Sequence, residues 1–172
     1  MSTAVPMIRG DGEGERLWFA GGGVMTMKAT AEETDGALVL LEDRMVRGKT
    51  TPLHIHPHLD ETLIVLEGEL LVYAEGSEHR VGARGVALAP RGVPHAFMVT
   101  SESALILALQ TPGSGEAFYR DATEPATADT DPERLPDWDR LRAAAERHPD
   151  IIQILGPPLF EAAKKGAIAT GS

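Results

Sequence analysis

The sequence contains no cysteine. This removes disulfides, thiolate metal sites and thiol nucleophiles together, so any metal must be held by nitrogen and oxygen donors. There is no run of 18 apolar residues of the kind a membrane-crossing helix needs, and the first 25 residues set charges and glycines where a signal peptide requires an apolar stretch. The expectation is a soluble, cytoplasmic protein with no membrane partner. Basic residues are scarce: 16 Lys and Arg stand against 26 Asp and Glu, leaving a formal charge of −10. That balance repels phosphate backbones and anionic lipid surfaces, which argues against nucleic acid as a partner.

What is present suffices for one domain. At 172 residues and 42% hydrophobic content the chain can bury a single core, and no internal repeat suggests a duplicated one. From about residue 15 to 110, short apolar or alternating runs are broken by turn residues roughly every 8 to 12 positions, the pattern of an all-β sandwich or barrel. The runs predict strands over 17–20, 24–29, 37–45, 53–56, 62–66, 69–74, 86–89, 95–100 and 104–110. Gly21-Gly22-Gly23, Glu67-Gly68, Glu75-Gly76-Ser77 and Arg91-Gly92-Val93-Pro94 punctuate them with backbone freedom or a fixed φ.

Beyond Gln110 the pattern changes. Residues 115–122 suit a short helix, and 137–147 a better one, with Asp137 as its cap and Trp138, Leu141 and Ala145 near helical spacing. Between Asp121 and Arg140, seven acids against two bases describe a solvated connector. The expected organisation is a tail over 1–14, a barrel over 15–112, and a connector, helix and tail over 113–172 that pack on the barrel or on a partner.

The chemistry concentrates in two places. His54 and His56 lie two apart, which on a strand sets both imidazoles on one face, and Glu61 follows five residues later. Two neutral nitrogens and a carboxylate form a three-donor set that leaves metal positions open for water, oxygen or substrate. His95 enters the start of another predicted strand from a Pro-rich turn and is available as a fourth donor. His58, His79 and His148 read as rim or surface residues, and Asp60 as a residue facing away from the site.

These segments resemble the two sequence motifs of the cupin superfamily. Gly48, His54, His56, Glu61 and Gly68 satisfy the first motif in full, and Pro90, Gly92 and His95 match the second; Gly85 stands one residue closer to Pro90 than the pattern has it, and Val99 replaces its final Asn. The closing stretch DPERLPDWDRLRAAAERHPDIIQILGPP is similar to that of single-domain bacterial cupins resembling quercetin 2,3-dioxygenase. The resemblance implies an all-β cupin fold, a double-stranded β-helix or jelly-roll barrel, with a short C-terminal helical segment. It also implies one divalent metal ion (Fe, Ni, Mn, Co, Cu or Zn) on His54, His56, Glu61 and His95.

The activity it points to first is that of a metal-dependent dioxygenase acting with O2 on an enol- or phenol-bearing aromatic substrate, with Glu61 as the base. A non-redox cyclase, isomerase or lyase, and a small-molecule-binding cupin without catalysis, share the same site and stay open. Strand parity with the ligands predicts Leu63, Val65, Tyr73 and Phe97 as the apolar wall of a substrate pocket. Finally, Leu17, Trp18, Phe19, Trp138, Ile151, Ile152, Ile154 and Leu155 flank the motif region and need cover that a filled barrel does not supply, so a homodimer is expected.

Overall fold

The computed structural model describes residues 6–157 and Phe160. In chain order it contains β1 (Glu15–Phe19), β2 (Val24–Ala29), β3 (Val39–Val46), β4 (Leu53–Ile55), β5 (Asp60–Glu67), β6 (Glu69–Ala74), β7 (Ser77–Gly82), β8 (Val86–Ala89), β9 (His95–Val99) and β10 (Ser103–Thr111). A single 3-10 turn at Gly113–Gly115 leads into helix α1 (Glu116–Ala122), followed by β11 (Thr123–Pro125), helix α2 (Trp138–Arg147) and β12 (Gln153–Gly156). No helix among the described residues is long and apolar enough to cross a membrane.

The strands form two antiparallel sheets. One runs β11-β1-β2-β3-β10-β5-β8 and the other β12-β4-β9-β6-β7. Alternate residues face a shared interior: Val39, Leu41 and Met45 of β3, Leu63 and Val65 of β5 and Ile106 of β10 meet Leu70 and Val72 of β6 and Phe97 and Val99 of β9 in one buried cluster. Each such side chain contributes on the order of 1.5–3 kcal/mol by leaving water, which is what holds the two sheets face to face.

The turn between β5 and β6, which carries the chain from the large sheet to the small one, sets a parity that the sequence pattern does not reveal. Gly68 lies at φ +78°, and a Cβ there would fall 2.1 Å from the Ser103 carbonyl oxygen, so only glycine fits the turn. Odd-numbered residues of β5 face inward, whereas across this turn the inward residues of β6 are even-numbered, Leu70 and Val72. Tyr73 therefore lies on the outer face of the small sheet, beside Leu71, Ala96, Met98 and Phe160, and not in the interior where unbroken parity would place it.

Three strands carry no sequence pattern that predicts them, each for an identifiable reason. β7 is an edge strand of exposed residues without alternation. β11 is three residues long and contains Pro125. β12 is identified only by its pairing with β4. Both sheets thus take an edge strand from beyond residue 112, and the C-terminal stretch is built into them. Helix α2 begins as expected, with the Arg140 amide donating to Asp137 Oδ1 at 3.0 Å, and it buries Leu141, Ala144 and Ala145. Trp138, expected to pack on the barrel or on a partner, is 43% exposed within one chain. The connector's acids find bases: Asp121 meets Arg147 and His148, and Glu124 meets Arg134 and Arg140. Arg134 also covers the Trp18 ring at 3.7 Å, so Leu17 and Trp18, like Ile152, are buried within one chain.

Candidate metal centre

His54 sits in β4 directly opposite His95 of β9, and His56 follows β4 by one residue on the same face. These three come from the small sheet. Glu61, the second residue of β5, faces them from the large sheet. All four side chains are buried, and one donor atom from each lies within 4.8 Å of all the others. Donors bound at about 2.0–2.2 Å to one ion lie roughly 3–4 Å apart, so the cluster needs only a small contraction to close on a metal.

The ring nitrogens are already sorted. Nδ1 of His54 lies 2.9 Å from the Pro52 carbonyl, Nδ1 of His56 2.8 Å from that of Ile151, and Nδ1 of His95 2.8 Å from that of Val93. A carbonyl can only accept, so each Nδ1 carries the proton and each Nε2 turns toward the cluster centre. Among the described residues, His56 Nε2 is a buried atom with no hydrogen-bond partner. Three fixed imidazole nitrogens and a carboxylate, one of the nitrogens buried without a partner, fit a divalent cation.

Electrostatics agree with that fit. Burial, helped by the neighbouring His95 and His56, lowers the His54 pKa to about 3, and burial also lowers that of His56, so both are neutral and ready to ligate. Burial alone would raise the Glu61 carboxyl. The hydrogen bond from His95 and the charges of the histidines outweigh it and hold the group well below the usual carboxylate range. Burial likewise pulls His95 down, but Glu61 Oε2, 3.2 Å from its Nε2, raises it overall.

Two supporting residues are not among those the sequence motifs single out. Gln110, paired with Glu61 across β10 and β5, donates from Nε2 to Glu61 Oε1 at 2.8 Å and to the Tyr119 hydroxyl at 3.2 Å. Glu61 is thereby pinned by one oxygen, and its other faces His95. A signal for Gln110 is present in the sequence: inward positions of β10 run Ala104, Ile106, Ala108, Gln110, an apolar series ending in an amide. Burial and the charges of Glu61 and Asp43 push the Tyr119 phenol well above its ordinary value, so it remains protonated.

A largely apolar cavity opens beside the cluster. Leu63 and Phe97 line it, joined by Phe19, Phe118, Leu141 and Ile152. Val65 is fully buried one step further along β5 and does not reach its wall, and Tyr73 is turned outward as described. His58 is exposed, and Asp60 accepts from Arg91 at 2.8 Å outside the site. One charged pair enters the wall: Lys49 Nζ lies 2.8 Å from Asp43 Oδ2.

Comparison with known proteins places this architecture. Residues 42–109 match the family model described as a cupin domain. The quercetin 2,3-dioxygenase of Bacillus subtilis (strain 168) is 26% identical over 122 residues, which are 71% of this chain and 36% of that protein, so the match spans about a third of the relative's length. An RmlC-like cupin from Shewanella frigidimarina NCIMB 400 superposes with a TM-score of 0.57 at 16% identity, covering 67% of this chain and 98% of that one. A predicted oxalate decarboxylase from Thermotoga maritima gives 0.55 at 21% identity, covering 62% and 99% respectively. At these identities the solved structures speak for the fold alone.

Proposed function

From the premise that this chain carries a cupin domain, we propose that it is a metal-dependent dioxygenase of an enol- or phenol-bearing aromatic substrate. The observation that carries the reading is the convergence of His54, His56, His95 and Glu61 at the edge of a cavity walled by Phe19, Phe97 and Phe118. The similarity to a quercetin 2,3-dioxygenase supports the same class. His54, His56 and His95 would hold the ion through Nε2 and Glu61 through a carboxylate oxygen. A bound divalent metal supplies Lewis acidity toward a substrate hydroxyl and, if redox-active, a meeting point for substrate and O2.

The chain's own residues do the rest. The carbonyls of Pro52, Ile151 and Val93 fix the imidazoles, and Gln110 fixes Glu61. The apolar wall excludes water and favours a flat ring over a sugar or an amino acid. Glu61, ionised and aimed inward, accepts the hydroxyl proton. A carboxylate held this far below its ordinary pKa is a weak base, so transfer requires a substrate hydroxyl that is itself acidified at the site.

The test loads the protein separately with Fe, Ni, Mn, Co, Cu and Zn, measures the bound metal, and follows oxygen uptake with a panel of flavonols and enediols. Uptake with at least one redox-active metal and none with Zn is expected. Turnover of the panel without oxygen consumption would assign non-redox chemistry instead.

A further inference from the structure

Among the described residues, Lys49 and Asp43 form the one ion pair between a lysine or arginine and an acid in which both side chains are nine-tenths buried or more, with 8% and 10% exposure. Replacing such a pair by apolar residues is often neutral or stabilising, so fold stability alone gives little reason for it in an apolar wall. The pair is also incompletely satisfied. Asp43 Oδ1 is buried without a partner, while Lys49 Nζ is bonded to Oδ2 and otherwise faces the Phe19 ring at 5.7 Å. An ammonium has three donors, so protons remain to be given.

The absence of a side chain at Gly23 leaves the pair uncrowded. A Cβ there would sit 3.0 Å from Lys49 Nζ and 3.8 Å from Asp43 Oδ1, and φ at this position is +92°, a conformation that residues with side chains rarely adopt. Both members of the pair line the same cavity as His54, His56 and Glu61. The complement of this arrangement is a group that both accepts and donates. A carboxylate would satisfy Lys49 but be repelled by Asp43, whereas a hydroxyl accepts from Nζ and donates to Oδ1, leaving no charge unbalanced.

We propose that Lys49 and Asp43 form a hydroxyl-recognition subsite, so that the preferred substrate is an aromatic carrying a second hydroxyl besides the one offered to the metal. This rests on the proposed reading of the cavity as a substrate site. A polar site built to bond a hydroxyl discriminates against the analogue lacking it, because its own groups are then left unpaired.

The test compares binding of 3-hydroxyflavone with a set of its analogues that each bear one added hydroxyl at a different ring position, by calorimetry on zinc-loaded and on metal-free protein. At least one analogue is expected to bind about 10-fold tighter than the parent or better, the range of a hydrogen bond to a charged group. That ratio should collapse to about one in Lys49→Met and in the double variant Lys49→Met/Asp43→Leu, which leaves no buried charge unpaired and so keeps the comparison readable if the single variant fails to fold. Absence of any gain in the unmodified protein, or a gain that survives in the double variant, overturns the subsite. Failure to take up zinc counts against the metal-centre reading, whereas the subsite then stands or falls on the ratio between ligands measured on the metal-free protein.

Discussion

Substituting Gln110 by Met tests whether the proposed metal centre depends on a residue outside its four-donor cluster. Methionine keeps the length of the side chain and loses the amide donor. In the structure that donor lies 2.8 Å from Glu61 Oε1, buried, with a charged acceptor. Such a bond is worth about 1.5–3 kcal/mol, which at about 1.4 kcal/mol per decade corresponds to roughly 10–150-fold in an equilibrium constant. Part of this is offset, because a carboxylate relieved of a hydrogen bond is a more basic donor. The loss of orientation should win: outer residues that aim metal ligands typically contribute about 10–100-fold in affinity. Chelator competition should therefore report metal binding weakened by roughly that factor. The melting temperature of the metal-free variant serves as control, because the substitution also leaves the Tyr119 hydroxyl without its partner and removes the unpaired Gln110 Oε1. A metal affinity within about twofold of the unmodified protein would refute the claim that Gln110 positions Glu61.

Glu61→Gln keeps an oxygen donor and removes the base, so turnover should fall by roughly 100-fold or more while metal content changes far less; equal losses would make Glu61 a ligand only. Metal uptake near neutral pH should release at most one proton per ion from the histidines, since neither His54, lowered to about 3, nor His56, also lowered, has one to give; release of three protons, by calorimetry in buffers of different ionisation heat, would contradict the assigned charge states. In the metal-free protein His54 binds a proton only on unfolding, so stability should drop as pH falls below about 6.5 toward 3 by roughly 1 kcal/mol per unit, and a melting temperature flat from pH 7 to 5 would count against neutral burial. Light scattering should give twice the 18.4 kDa of the chain, on the strength of Val86 and Leu88, exposed on the unpaired edge strand β8, since Leu17, Trp18 and Ile152 are already covered within one chain; a monomer at micromolar concentration would end the proposal.

How much of the molecule is legible in its sequence depends on range. The clustering of the four candidate ligands is, because His54 and His56 share a strand face and His95 follows a turn dictated by Pro and Gly; these are local relations. Nine of the twelve strands among the described residues are too, because short apolar or alternating runs bounded by turn residues are the imprint of strands in a sheet. Tyr73 is misplaced by the pattern because parity does not carry through a turn that reverses it, a fact stored in the φ of Gly68 and in the approach of Ser103. The most informative signal outside the motifs is the polar residue at an inward position. Asp43 follows Val39 and Leu41 in β3, and Gln110 follows Ile106 and Ala108 in β10. Burying either group is costly unless it has work in the interior, and each borders the cavity or the metal ligands.

The C-terminal stretch, which looks from the sequence like an appendage to the barrel, is part of the centre in three separable ways. Its Ile151 carbonyl fixes the tautomer of His56. Its β12 pairs with β4, aligning Ile154 with His54 and so bracing the strand that carries the ligands. Its Leu141, Ile152 and Ile154 close the cavity wall that Phe97 and Leu63 begin. The cupin motifs supply only the candidate ligands, which proteins of unrelated chemistry can share on one fold; the orientation of His56 and much of the cavity's shape come from outside them. On the proposed function, selectivity among substrates would rest largely on residues that the motifs do not contain, which is why the candidate ligands can be read from short patterns while the proposed substrate has to be argued from Lys49, Asp43 and the tail-built wall.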